Sequence, residues 1–274
     1  MFPDIAFIGC GNMGCSLIGG LLASGHPADA IHGAEPDAAK REALEQSFGI
    51  HLYADNHSAI SQAAAVVLAV KPQVLQAIIE PLAADLRTQQ PLLLSVAAGI
   101  PITALQRWLA ASLAVVRAMP NTPALIQTGM TGLYASPEVA PAQRQLADNI
   151  LKSVGATVWL DDEALLDVVT AISGSGPAYF FLFIEALAEA GEQLGLDADT
   201  ARQLALQTGY GATRMAIEAD AAPAILRERV TSPGGTTAAA LAEFDRGNLR
   251  TLVRKAATAA KQRAAEMAET FGNN

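Results

Sequence analysis

Apolar positions along the chain fall into two textures. Up to about residue 160, short apolar runs alternate with longer amphipathic stretches. Residues 65–70 (Ala-Val-Val-Leu-Ala-Val) are apolar throughout, and 91–97 are nearly so, as expected for central strands covered on both faces. The pattern predicts further strands at 5–9, 30–35, 51–54 and 115–119. Helices are predicted over 13–23, 37–48, 56–63, 72–86 and 101–109. Pro36 and Gly49 bracket the second of these as a start and stop pair. Strands at 132–135 and 157–160, flanking a helix over 141–153, are expected to close the region. Strands alternating with helices of this length imply right-handed crossovers and a doubly wound α/β sheet.

After residue 160 the β-branched runs disappear, and Ala, Leu and Glu recur at helical spacing. Helices are predicted over 161–172, 177–194, 197–219, 237–244 and 249–271. Residues 177–184 are almost continuously apolar, which predicts a helix buried on all sides, in a bundle core or a subunit interface. The organisation read from the chain is therefore two domains, 1–160 and 161–274, the second all-α.

Composition narrows the classes of function. With 18 basic and 27 acidic residues the net charge is −9, which argues against a nucleic-acid backbone or an anionic membrane as main partner. Two cysteines, Cys10 and Cys15, exclude a disulfide scaffold, and with four histidines they leave little for a dedicated metal site. Residues 5–25 carry no charge, but seven residues there are Gly or Asn and no basic residue precedes them. A leader or spanning helix is a poor reading of that stretch, and the expected location is cytoplasmic.

The same stretch holds the first candidate chemistry. Gly9-Cys10-Gly11-Asn12-Met13-Gly14 fits G-x-G-x-x-G, placed after a strand and opening a helix. Gly9 allows the tight turn, Gly11 lets a pyrophosphate approach the backbone, and Gly14 lets helix and strand pack closely. The phosphates would sit at the helix N-terminus, where free N–H groups and the dipole favour an anion. Glu35 ends the second strand, 21 residues after Gly14. An acid there accepts hydrogen bonds from a ribose 2′-hydroxyl and repels a 2′-phosphate, favouring NADH. Lys40 and Arg41 nearby could favour NADPH instead, or simply form a solvated helix face. Ala69-Val70-Lys71-Pro72 and Ala97-Ala98-Gly99 end two central strands, where ligands of such sheets bind, and Ala97-Ala98-Gly99 could let a nicotinamide ring approach the backbone. Arg117-Ala118-Met119-Pro120-Asn121-Thr122-Pro123 ends another. In the helical region, Ser232-Pro233-Gly234-Gly235-Thr236-Thr237 places two glycines before a helix. Open N–H groups there form a nest for a small carboxylate, although a simple capped turn would read the same way. Ser173-Gly174-Ser175-Gly176 is a second glycine-rich segment, suited to close packing between chains or to a pocket floor.

Taken together, residues 7–14, 69–72, 117–123, 173–179 and 232–237 resemble the pyrroline-5-carboxylate reductases, over essentially the whole length. The resemblance implies a Rossmann domain followed by a helical-bundle dimerisation domain that interlocks two subunits, in some members assembled further into decamers. It implies hydride transfer from NADPH or NADH to C5 of 1-pyrroline-5-carboxylate, giving L-proline in the last step of proline biosynthesis. By motif position, Ile8 to Met13, Asn56, Ala69 to Pro72 and Ala97 to Gly99 would contact the cofactor. Gly235, Thr236 and Thr237 would hold the substrate, with Thr237 the hydroxyl donor to the ring nitrogen and Glu163 near that nitrogen. Glu35 departs from the small hydroxyl residue of many members, which tilts the choice towards NADH against the family's frequent NADPH. Arg229 stands where some members carry Asn. Other readings of the same architecture are a dehydrogenase of the β-hydroxyacid or prephenate type and a non-catalytic dinucleotide sensor. The four histidines all lie in the first domain, which speaks against a histidine-based dehydrogenase.

Overall fold

The computed structural model describes residues 2–272. Strands β1 (Ile5–Ile8), β2 (Ile31–Ala34), β3 (His51–Tyr53), β4 (Ala65–Leu68), β5 (Leu92–Ser95), β6 (Val115–Met119), β7 (Gly129–Ala135) and β8 (Gly155–Trp159) form one sheet. Its order is β3-β2-β1-β4-β5-β6-β7-β8. The first six strands are parallel, and the order reverses between β1 and β4, as the alternating pattern predicts. Alternate residues of β1 feed the two faces: Ala6 and Ile8 join one buried cluster, Ile5 and Phe7 the other. This period of two is why the central strands must be apolar at every position.

Strand β7 runs antiparallel to β6. The nine residues between them hold Pro120, Pro123 and a 3-10 turn (Thr122–Ile126). That connection is too short for a parallel crossover, which takes a dozen or more residues. The helix α7 (Pro141–Lys152), seventh in the chain, then supplies a crossover, so β8 is parallel to β7. The preceding helices are α1 (Asn12–Ala23), α2 (Ala38–Phe48), α3 (Asn56–Ile60), α4 (Pro72–Ile79), α5 (Ala83–Gln89) and α6 (Ile102–Leu109). The helix expected over 72–86 is divided into α4 and α5 by a 3-10 turn at Glu80–Leu82. Pro81 lies in that turn and lacks the N–H that a continuous helix would need.

Helix α8 (Leu165–Val169) continues through a π-helical turn, Thr170–Gly174, into α9 (Gly176–Gln193). By contact density the chain forms two compact units. One holds residues up to Ser175 together with those from Ala259 on; the other is Gly176–Thr258. These limits differ from the expected division at 160. Residues 163–175 stay with the sheet because α8 packs on β6 and β7: a Cβ on Gly132 would lie 2.7 Å from Val169. The last turns of the C-terminal helix stay as well, with Phe271 against one core cluster.

The second unit contains α9, α10 (Ala198–Glu218), α11 (Pro223–Arg229), α12 (Thr236–Arg246) and the first part of α13 (Leu249–Gly272). Helix α11 was not expected from the pattern. Gly191 approaches Ala201, and Gly209 approaches Ile184, so α9 and α10 pack antiparallel through small residues. The expectation that 177–184 sits in a bundle core is corrected for the single chain. Phe180, Phe181 and Leu182 are each about two-thirds exposed, at 65%, 66% and 65%. The reason is the size of this unit: its few helices cannot surround a helix that is apolar on every side. The run Leu165–Gln193 is also long and apolar enough to cross a membrane by length and composition, with 17% of its most apolar window buried.

Candidate active site

The carboxyl ends of β1, β4 and β5 lie side by side. Ala69 N–H donates to Ile8 O at 2.9 Å, and Val96 N–H to Leu68 O at 3.2 Å. This edge gathers the residues expected at the cofactor. Gly9 has φ of +98°, and a Cβ there would lie 2.6 Å from Val70. A Cβ on Gly14 would lie 2.3 Å from Gly9 O, so only glycine lets α1 approach the strand end. A Cβ on Gly11 would meet nothing within 4 Å. The three glycines thus divide the work as the motif requires: two are demanded by packing, and the third leaves open space over the backbone. Gly11 caps α1 without a side-chain hydrogen bond, and no acidic residue stands in the first turn to repel an anion. The open backbone at Gly11 and the uncapped helix N-terminus behind it fit a pyrophosphate.

The two thiols beside this loop are structural. Cys10 is buried, its Sγ 3.8 Å from Ala34 O, and Cys15 donates to Cys10 O at 3.2 Å. Burial, reinforced by Cys15 and Glu35, pushes the Cys10 thiol up to about 12. It stays protonated and unreactive at neutral pH.

Glu35 follows β2 directly, and its Oε1 accepts from Asp37 N–H at 3.1 Å. Asp37 caps α2 by accepting from Lys40 N–H at 3.1 Å. The Arg41 guanidinium donates to Glu35 O at 2.8 Å and Pro36 O at 2.9 Å. One guanidinium nitrogen of Arg41 thus holds the turn's own carbonyls, while two carboxylates, Glu35 and Asp37, flank the strand end. Asn56 is half-buried at the first turn of α3, beside the capping Asp55. Lys71 is exposed at the N-cap of α4, with Pro72 at the first helical position. Ala97 is buried, whereas Ala98 and Gly99 are half-buried. Gly99 has φ of +74°, and its added Cβ would lie 3.3 Å from Met267 Cβ on α13.

Glu163 is held away from open solvent by two donors on one oxygen. Its Oε1 accepts from Ile102 N–H at 2.9 Å and from Arg117 at 2.6 Å. Arg117 is buried on β6, with its side chain 10% exposed. Asp167, one turn on from Glu163, has its carboxyl pushed up by burial; Arg117 and Lys261 oppose that, and Glu163 adds to it. Sequence reasoning gave Arg117 no role. Its signal was an arginine inside an apolar strand, which requires a carboxylate partner. Asn121 also reaches further than a local turn, accepting from Met130 N–H at 2.9 Å and donating to Ser173 O at 3.0 Å.

In the second unit, Gly234 takes φ of +69° and Gly235 N–H donates to Ser232 O at 3.0 Å. Gly235 is the N-cap of α12 and supplies no side-chain hydrogen bond. Thr236 and Thr237 occupy its first two positions, Thr236 exposed and Thr237 half-buried. Among the described residues, no three or more His, Cys, Asp or Glu side chains group to hold a metal ion.

Residues 163–267 match the family model for pyrroline-5-carboxylate reductase dimerisation, and residues 4–99 match that for NADP oxidoreductase, coenzyme F420-dependent. A pyrroline-5-carboxylate reductase of Pseudomonas aeruginosa is 50% identical over 270 residues, covering 98% of both chains. One from Arabidopsis thaliana is 35% identical, covering 97% of this chain and 96% of its own. Among solved structures, the Coxiella burnetii reductase superposes with a TM-score of 0.95 at 42% identity, covering 97% of this chain and 99% of that one. The Plasmodium falciparum enzyme, solved with NADP bound, gives 0.84 at 27% identity, covering 97% and 98%. Matched over nearly its whole length by reductases of that name, with the glycine geometry of a dinucleotide loop after β1 and the family's dimerisation model over residues 163–267, the chain belongs to the pyrroline-5-carboxylate reductase family.

Proposed function

We propose that this chain reduces 1-pyrroline-5-carboxylate to L-proline, the last step of proline biosynthesis. The observation that carries the reading is the full-length likeness to reductases of that name, at 50% identity in one case. When bound, NADH or NADPH supplies a hydride to C5 of the imine, and a proton ends on the ring nitrogen. The chain's own contribution is positioning and charge. The loop Gly9 to Gly14 holds the pyrophosphate, with Glu35 and Asn56 towards the adenosine and Ala69 to Pro72 and Ala97 to Gly99 along the strand ends. The amides of Gly235, Thr236 and Thr237 hold the substrate carboxylate. The Thr237 hydroxyl donates to the lone pair of the neutral imine nitrogen and polarises the C=N bond, which makes C5 electrophilic, and solvent supplies the proton that ends on that nitrogen. A pyrroline nitrogen is basic enough to need no strong side-chain acid.

The cofactor reading is NADH first, on the Glu35 carboxylate at the end of β2. Function requires a homodimer, in which the exposed apolar face of α9 meets a second copy, with decamers of such dimers as a larger assembly. The 1–160 and 161–274 division describes the two roles, cofactor and assembly with substrate. The expected location is cytoplasmic.

Parallel oxidation of NADH and NADPH with pyrroline-5-carboxylate tests the activity. Turnover with either supports it; none from folded protein that binds dinucleotide overturns it. Thr237→Ala is expected to lower kcat/KM at least about tenfold while dinucleotide binding persists, since one hydrogen bond to a developing charge is worth that much. An unchanged value removes Thr237 from the chemistry.

A further inference from the structure

The loop between β5 and α6 carries Ala97, Ala98 and Gly99 and ends at Ile102. It is fixed at two points within its own unit. At Gly99, helix α13 lies so close that an added Cβ would stand 3.3 Å from Met267 Cβ and 3.6 Å from Ala268 N. At Ile102, the first residue of α6, the free N–H donates to Glu163 Oε1 at 2.9 Å. That same oxygen accepts from Arg117 at 2.6 Å.

Arg117 sits on the strand adjacent to β5, in register with Ser95, the last residue before the loop. One carboxylate oxygen therefore ties the far end of the loop to the neighbouring strand and to the segment that opens α8. The pair is buried on the arginine side, with side-chain exposures of 10% and 24%. In such surroundings a charge-assisted bond is short, directional and little screened. Oε1, committed to two protein donors, is the oxygen that anchors the loop.

We infer that Glu163 and Arg117 are positioning residues for the nicotinamide end of the cofactor, setting the loop Ala97–Ile102 rather than touching the substrate ring. The inference rests on the proposed cofactor contact of Ala97 to Gly99. It replaces the expectation that Glu163 lies against the ring nitrogen. A misplacement of about 1 Å at a reacting group can cost on the order of a hundredfold in rate, so a loop anchor of this kind has a measurable effect.

The test compares Glu163→Ala with Glu163→Gln, which keeps an acceptor for Ile102 N–H and Arg117. Dinucleotide Kd is measured without substrate, KM for each ligand at saturation of the other, and thermal unfolding for each variant. Glu163→Ala is expected to raise dinucleotide Kd and KM roughly tenfold, with the KM for pyrroline-5-carboxylate within about twofold. Glu163→Gln should recover most of the loss. If Glu163→Ala does not fold, Glu163→Asp, too short to reach both donors, takes its place with the same expectation. A raised substrate KM in both variants with unchanged dinucleotide Kd would overturn the inference in favour of direct substrate contact. A lowered Tm with all constants unchanged would overturn it in favour of a purely structural pair. Wild-type protein without turnover would sink the proposed reaction instead, and the binary Kd values would still decide the role of Glu163.

Discussion

Gly11 and Gly14 show how one motif letter can stand for two physical demands. At Gly14 a methyl group would collide with Gly9 O at 2.3 Å. Gly14→Ala is therefore expected to shift α1 and lower the Tm as well as dinucleotide affinity. At Gly11 the same methyl would meet no protein atom within 4 Å. Gly11→Ala should leave stability within about 0.5 kcal/mol, yet weaken dinucleotide binding about tenfold, which is about 1.4 kcal/mol. Thermal unfolding and dinucleotide titration of both variants check this; equal effects on stability would contradict the division. Glu35 acts at the same scale. Glu35→Ser removes the carboxylate that repels a 2′-phosphate, so the ratio of kcat/KM for NADPH over NADH should rise at least about tenfold. A ratio that stays put would mean that selection lies elsewhere in the β2–α2 turn.

Between elements, the join of α7 to β8 depends on Asp148. Its Oδ1 accepts from Thr157 at 2.7 Å and Trp159 at 3.2 Å, and its Oδ2 pairs with Lys152 at 2.7 Å. Burial raises this carboxyl, but Lys152, Thr157 and Trp159 together outweigh it and hold it below the ordinary 3.8. Because the folded value is the lower one, the ionised group contributes stability above pH 3.8. That contribution is lost as the pH falls through the folded value. Asp148→Ala should cost about 2–3 kcal/mol at neutral pH by leaving two donors unpaired. It should also flatten the acid limb of the stability curve, as read from denaturant midpoints between pH 7 and 3. An acid limb identical to wild type would show that other carboxylates govern it. The element-scale pattern was legible where a period or a breaker dictated it, as in the apolar β4 and β5. It failed at α11, a seven-residue helix whose sequence, Pro-Ala-Ile-Leu-Arg-Glu-Arg, runs from an apolar half to a charged half and carries no helical period.

For the whole molecule, the exposed face of α9 requires a partner. Phe180, Phe181 and Leu182 form a contiguous apolar stretch far beyond scattered surface residues. A charge placed in the centre of such an interface must be desolvated without a partner. Phe181→Glu is thus expected to convert dimers to monomers, read by size-exclusion chromatography with light scattering, and to cut turnover. A dimer that survives the change would place the interface elsewhere.

The sequence alone determined the alternation of strands and helices, the position of the glycine loop between β1 and α1, and the family. These depend on local period, on glycine's freedom and on motif order, all of which are written along the chain. Only the tertiary structure decided that β7 turns back against β6, that Arg41 is tied to the carbonyls beside Glu35, and that Glu163 is shared by Ile102 and Arg117. Each of these joins residues through the fold rather than through spacing. A carboxylate 46 positions from its arginine, and 61 from the amide it accepts, leaves no periodic trace in the chain. The exposed face of α9 makes the same point from the other side. Its apolarity was plain in the sequence, but the exposure of Phe180, Phe181 and Leu182 came only from the structure.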